Sequence, residues 1–360
     1  MERPGDKVTI VTYPDEFDKN EIVGLAKAAG YSVEAVVTQR KVVKSEYGVG
    51  EGKAEELREM VSSNGSKRII IDASITSSQA NKLSSMTHAE VIDRERLILN
   101  IFAQRASTAE AKLQVQLAEL RYELPRARDV VRHSVKGEQA GFSGMGEFAV
   151  DVQFRALRRR MAFVKEKLEK AKTRREIQTS ERRKLDVPFV SLAGYTSSGK
   201  TTLFNRLASE SKEESPKLFT TLTTTTRMVH FRDSRRAIML SDTVGFISRL
   251  PTYLVESFMS TLDELRRADL VLLLVDASES LESIEIKLAS CREILGDLKV
   301  DLLREPVPDG PTMDSLFRDF STIRISATKG DGMRKLSNRI LELTSPARFD
   351  RTRPEPERAS

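Results

Sequence analysis

The chain has 360 residues, with 59 Lys and Arg against 53 Asp and Glu for a net charge of +6, and is long enough for two or three domains that each bury a core. Its longest apolar run, Leu270 to Val275, is far too short for a membrane-spanning helix, and the N-terminus shows no basic-then-apolar leader, so a cytoplasmic location is expected. A single cysteine, Cys291, excludes an internal disulfide framework and a cysteine-based metal cluster, and is expected to be a packed helix residue.

Residues 7–100 alternate between strand and helix signals. Val8 to Val11, Val33 to Val37, Ile69 to Ile71 and Glu90 to Ile92 read as strands, with helices over Asn20–Ala29, Ala54–Val61 and Ser77–Met86 between them. A βαβα series predicts a parallel sheet covered by helices. Gly48-Val49-Gly50-Glu51-Gly52-Lys53 lacks the spacing of a phosphate loop and reads as a flexible loop before a helix. Arg94 to Leu124 then gives one long helical pattern, with Leu113, Leu117, Leu120 and Leu124 on one face and Pro125 ending or kinking it.

Glycines at 137, 141, 144 and 146 mark a flexible segment, followed by a second helix from about Glu147 to Lys184. That helix is strongly basic from Arg155 to Lys184, and the four glutamates of that span (Glu166, Glu169, Glu176 and Glu181) cannot neutralise it through i,i+4 pairs. Two long helices joined by a Gly-rich loop predict a hairpin arm, and the uncompensated charge predicts a polyanionic partner met through phosphates. Only Phe154 and Phe163 are interleaved with the basic run, so stacking on single strands is not expected.

The next stretch is the most specific. Gly194-Tyr195-Thr196-Ser197-Ser198-Gly199-Lys200-Thr201 fits G-x-x-x-x-G-K-[ST], with the apolar run Pro188 to Ala193 before it and a helical pattern, Thr202 to Leu207, after it. Glycines let successive N–H groups point inward at a β-phosphate, and the helix N-terminus adds positive partial charge. Lys200 is the expected ligand of the β/γ oxygens and Thr201 of Mg²⁺. Phe219-Thr220-Thr221-Leu222-Thr223 and the threonines after it occupy the place of a first switch. The strand Ala237 to Leu240 leads into Asp242-Thr243-Val244-Gly245, a D-x-x-G in which Asp242 holds Mg²⁺ and the Gly245 N–H senses the γ-phosphate. Phe246 stands where a water-orienting Gln would serve. An apolar ring cannot orient water, which predicts slow intrinsic hydrolysis with the missing group supplied by a potassium ion, a rearranged loop or a partner. Asp269 to Ala277 reads as a buried central strand, Leu281 to Leu295 as a helix, Thr322 to Thr328 as a strand with a Ser326-Ala327-Thr328 base-bracketing loop, and Met333 to Leu343 as the last helix. The three histidines (His88, His133 and His230) lack metal-ligand spacing.

These residues resemble the HflX-type GTPases of the translation-factor-related branch. Val91-Ile92-Asp93-Arg94, Leu97 to Ala106, Lys112 to Leu120, Gly144-Met145-Gly146-Glu147 with Asp151, the phosphate loop through Asn205, and Asp242 to Phe246 all carry the likeness. The resemblance implies an α/β fold: an N-terminal parallel βα domain (1–104), a helical hairpin arm (105–185) and a Ras-like P-loop GTPase domain (186–347); the tail (348–360), rich in Pro, Arg and Glu, is expected to be disordered from its composition. It implies a monomeric GTPase using GTP/GDP and Mg²⁺ that binds the large ribosomal subunit and its rRNA through the basic helix and the tip loop Gly141-Glu147, and separates or rescues ribosomes under stress. Matched by position to the family's F-A-T-L-D-P-T-T-R, Thr221 is the Mg²⁺ threonine of the first switch, with Thr223 and Thr224 replacing Asp and Pro. The guanine-reading N-K-x-D is matched only by Leu298-Lys299-Val300-Asp301, without the Asn and without a strand before it. An RNA- or ribosome-binding module with a weakened nucleotide site is therefore the alternative reading.

Overall fold

In the computed structural model of the chain, the described residues are 5–40, 45–137, 143–183, 187–209, 219, 224–231, 234, 236–297 and 321–345. The chain divides into two compact units. Among the described residues, the first holds those as far as Arg175 together with Phe219 and Pro251–Phe258, and the second holds the others.

The first unit is built on a four-stranded parallel sheet of order β2-β1-β3-β4. Its strands are β1 (Lys7–Thr12), β2 (Ser32–Thr38), β3 (Arg68–Ile71) and β4 (Glu90–Asp93), alternating with helices α1 (Glu16–Ala28), α2 (Glu51–Asn64) and α3 (Ser77–Thr87). Val8 to Val11 and Ile69 to Ile71 are almost continuously apolar because helices cover both faces of a parallel sheet. Leu57, Val61, Ile71, Ile75 and Leu83 form one of the cores that result. Gly50 is the N-cap of α2, so Gly48 and Val49 precede the helix as expected, whereas Glu51 to Lys53, expected in the loop, form its first turn.

The predicted continuous helix from Arg94 to Leu124 is two helices. α4 (Arg94–Arg105) stops at Ala106, whose backbone is extended, and α5 (Ala109–Gly137) restarts beyond it. Thr108 drives the restart: its Oγ1 accepts from the Ala111 N–H at 3.1 Å. Pro125 neither ends α5 nor marks its boundary but lies inside it. Tertiary contacts on both sides hold it there. Tyr122 Oη donates to Asp93 at 3.1 Å, and Arg126 pairs with Asp93 and donates to the Ile75 carbonyl at 3.0 Å.

α6 (Ser143–Arg183) begins four residues earlier than expected, so Gly144 and Gly146 are helical; Gly141, Phe142 and Lys184 lie outside the described residues. Leu117 and Leu120 of α5 are buried with Val164 of α6, which pairs the two as a hairpin. Along α6, Arg155, Arg158, Arg159, Arg160, Lys165, Lys167 and Lys170 are exposed.

A short helix, α8 (Thr252–Ser257), also packs in this unit. Tyr253 Oη donates to Glu95 at 2.8 Å, Arg121 donates to the Tyr253 carbonyl at 3.0 Å, and the Phe102 ring meets Phe219 and Phe258 edge-on at 4.9 and 4.7 Å.

The second unit carries a sheet of order β6-β7-β5-β8. β5 (Phe189–Gly194), β7 (Ala237–Asp242) and β8 (Leu270–Leu274) are parallel, and β6 (Thr225–His230) is antiparallel to β7. Helices α7 (Lys200–Ala208), α9 (Met259–Arg267), α10 (Leu281–Asp297) and α11 (Met333–Leu343) complete the described elements. Two expectations change here. β8 is half-buried and stands at the edge of the described sheet rather than at its centre. Thr322 to Ser326 carries no strand among the described residues. Its last residue, Ser326, closes the turn that follows at 327–329: the Ser326 N–H donates to Asp331 O at 2.9 Å and Gly330 N–H to Ser326 O at 2.7 Å. Ile323 and Ile325 still pack on the core of Leu203, Phe204, Leu240 and Ile340.

Candidate functional site

The site lies at the carboxyl ends of β5 and β7, where open α/β sheets gather ligand-binding loops. β5 ends in Gly194, whose φ of +146° and surroundings admit no side chain: a Cβ there would sit 2.4 Å from Leu274 O and 2.8 Å from Ser198 Oγ. The chain then turns through Tyr195-Thr196-Ser197-Ser198-Gly199 and enters α7, whose first residue is Lys200. Ser197 has φ +62°, a backbone strain carried within the loop.

Lys200 is buried, and its Nζ donates to Gly194 O at 3.0 Å and to Tyr195 O at 2.6 Å. Burial pushes its ammonium down to about 8, against the pull of the Asp242 carboxylate and of Cys291. A buried cation whose hydrogen bonds, among the described residues, go to neutral carbonyls is poised to exchange them for an anion. Beside it, Thr201 Oγ1 donates to Asp242 Oδ2 at 3.1 Å, and Asp242 is fully buried. A hydroxyl and a carboxylate side by side are hard oxygen donors of the kind Mg²⁺ takes when phosphates supply further ligands. Among the described residues no group of three or more His, Cys, Asp or Glu could hold a metal by itself.

Gly245 lies directly over this cluster. A Cβ on it would come within 2.9 Å of Thr196 Cα and 3.1 Å of Lys200 Nζ. Thr243 Oγ1 donates to Leu192 O at 2.5 Å, tying the start of the loop to β5, and Val244 is buried. The Phe246 ring is buried rather than turned to the cluster's solvent side. Thr202 follows Thr201 on the first turn of α7.

The structure thus brings Gly194 to Thr202 together with Asp242 to Gly245. Ser326, Ala327 and Thr328 lie in the turn before α11; Ser326 Oγ accepts from the Lys329 N–H at 3.2 Å and meets Thr328 Oγ1 at 3.3 Å. Phe219 is buried against Phe102, so its ring serves packing in the first unit. Thr220, Thr221, Leu222, Thr223, Lys299 and Asp301 lie outside the described residues.

Sequence reasoning missed two participants. Glu264 on α9 accepts from Thr224 Oγ1 at 2.9 Å and from Ser241 Oγ, holding the start of β6 and the end of β7 from the same side. Cys291 on α10 is buried and lines a small cavity with Tyr195, Thr196 and Ser198 of the loop. Neither has a motif; each meets the site through a fold contact distant in sequence.

Three family models match the chain. They are described as the GTP-binding GTPase N-terminal region (residues 17–103), the GTP-binding GTPase middle region (105–182) and a 50S ribosome-binding GTPase (189–301). The chain is 41% identical over 293 residues to GTPase HflX of Thermococcus kodakarensis, a match covering 81% of this chain and 65% of that protein. It is 38% identical over 306 residues to GTPase HflX of Escherichia coli, covering 82% of this chain and 72% of that one. It is 35% identical over 351 residues to GTPase HflX of Hyperthermus butylicus, covering 91% and 92%. A solved structure described as a complex of SsGBP and GDP is similar at 25% identity and a TM-score of 0.53, over 94% of this chain and 98% of that one. With a phosphate loop and a D-x-x-G brought together at the carboxyl ends of two neighbouring strands, and with likeness of this extent to curated relatives, the chain belongs to the HflX family of GTPases.

Proposed function

We propose that this protein binds GTP at Gly194–Thr202 and Asp242–Gly245, hydrolyses it slowly, and uses the GTP-bound form to engage the large ribosomal subunit. The observation that carries the reading is the cluster of Lys200, Thr201 and Asp242, a buried cation beside two hard oxygen donors at the mouth of a glycine-bounded loop. Lys200 would leave the carbonyls of Gly194 and Tyr195 for the β/γ oxygens of the triphosphate. Thr201 and Asp242, joined by Thr221 of the first switch, would hold a Mg²⁺ ion, which neutralises charge on the β and γ oxygens. The Gly245 N–H would read the γ-phosphate, and with no polar side chain at 246 the attacking water is left without an orienting group from that position. Asp301, Lys299 and the Ser326–Thr328 turn would face guanine.

The ribosomal part of the proposal rests on the family model's description as a 50S ribosome-binding GTPase and on the row of exposed cations along α6. Such a surface gains affinity by releasing counterions from phosphates, as rRNA binding requires. Separation of subunits, or rescue of stalled ribosomes under stress, is the outcome we assign to that encounter, in the cytoplasm.

Titration with GTP, GDP, ATP and XTP tests the nucleotide part. GTP and GDP are expected to bind in the micromolar range with Mg²⁺ and ATP at least about a hundredfold more weakly, since a site built to pair with one base edge rejects the wrong one. Lys200→Ala should weaken GTP binding about a hundredfold or more, the loss typical of one partner in a buried charged contact. Equal binding of all four nucleotides, or a Lys200→Ala variant of parental affinity, would favour the RNA-binding module with a weakened nucleotide site.

A further inference from the structure

A phosphate loop asks nothing of the side chain at its second position, because the peptide groups there do the work. In this chain that position is Tyr195, and its side chain is buried. Its hydroxyl accepts a hydrogen bond from the Ser248 N–H at 2.6 Å. The backbone on either side is zipped to the same segment: Thr196 N–H donates to Phe246 O at 2.8 Å, and Phe246 N–H donates to Gly194 O at 3.0 Å. Tyr195 and Phe246 thereby form a parallel bridge beyond the ends of β5 and β7. The ring itself is braced from α10. Lys287 Nζ lies 5.2 Å from its centroid and is paired with Glu279.

We propose that Tyr195 is a positioning residue for GTP hydrolysis, its hydroxyl fixing the height at which residues 245–248 lie over the phosphate loop. The role rests on the hydrolysis proposed above. With glycine at 245 and apolar side chains at 246 and 247, the polar groups these residues offer are main-chain N–H and C=O, and they go where the segment is held. The bridge at Phe246 fixes the segment at one point. The Tyr195–Ser248 bond, two residues on, fixes its direction, so Gly245 stays within van der Waals reach of Thr196 and Lys200. Misplacement of such a donor by a fraction of an ångström costs rate rather than ground-state affinity. Since Ser248 donates through its backbone, the bond is removed from the tyrosine side.

Tyr195→Phe deletes the acceptor and keeps the ring. The expected result is a kcat lowered about three- to tenfold, the loss of one neutral hydrogen bond, with GDP affinity within about twofold of the parent. Amide hydrogen exchange read on the same variant should speed up at Phe246 and Ser248 and remain unchanged along α7. A kcat within twofold of the parent or above it, GDP affinity falling in proportion to kcat, or unaltered exchange at 246 and 248 would each overturn the assignment. A parent that does not hydrolyse GTP overturns the hydrolysis reading itself and this role with it, whereas an active parent with an unaffected variant overturns only the role.

Discussion

Two buried groups under the phosphate loop show how the site treats charge. Lys200 and Cys291 are both enclosed, and burial acts on each in the direction of its neutral form: the ammonium is pushed down, the thiol up. For Cys291 burial raises the value to about 12, with Lys200, the Tyr195 amide and Lys287 pulling the other way. The nucleophile is the thiolate, so a raised value means less of it at any pH below about 12. At about pH 8 the folded protein should react with iodoacetamide at least about a hundredfold more slowly than the same chain in denaturant. Rapid labelling without unfolding would show that the thiol is neither buried nor neutral. The sequence supports the packed-helix reading of Cys291, since its neighbours Leu288, Ile294 and Leu295 share its helix face. It says nothing of what the thiol packs against.

Between elements, the first unit is stitched by charge as well as by apolar packing. Arg94, at the start of α4, pairs with Glu21 of α1 and with Asp72 just beyond β3 at 2.8 Å, and Asp72 also accepts from Thr12 Oγ1 at 2.6 Å. All three charged side chains are buried. Burial would lower the Arg94 value, but Glu21 and Asp72 outweigh it and hold the guanidinium above its ordinary range. Removing one member leaves charge buried without its full complement, so Glu21→Ala should destabilise the protein by about 3 kcal/mol in urea unfolding. A change under about 1 kcal/mol would mean that Asp72 alone satisfies the arginine. At this scale the sequence was half legible. The 3–4 spacing of Leu113, Leu117, Leu120 and Leu124 identified helix correctly, whereas the single helix expected from Arg94 is interrupted before Ala109, where Thr108 caps the restart. The persistence of helix past Pro125 was not available, because the roughly 3 kcal/mol that an interior proline costs is offset by Tyr122 and Arg126 anchoring on Asp93, a residue of another element.

At the scale of the whole molecule, charge is concentrated on one helix, and the prediction that follows concerns salt. On the ribosomal role proposed above, replacing Arg155, Arg158, Arg159 and Lys165 with Ala should reduce the slope of log affinity for large subunits against log salt by about 3, near the roughly 0.7 to 0.9 expected per phosphate contact. Sedimentation across a salt series checks this, and an unchanged slope would place the contact elsewhere. What the sequence determined by itself was whatever is written in consecutive residues: the βα alternation, the basic helix, Gly194 to Thr201 with Lys200, and Asp242 to Gly245. Each is a local pattern, because a glycine at a tight turn or a lysine at a helix start is required by the backbone immediately around it. The tertiary structure decided the partners. Ser248 meets Tyr195 53 residues away, Glu264 meets Ser241, and Glu21 meets Arg94. Such pairs depend on strand order and on which helix covers which face, and these are set by packing the entire chain into one core after another rather than by any stretch of it.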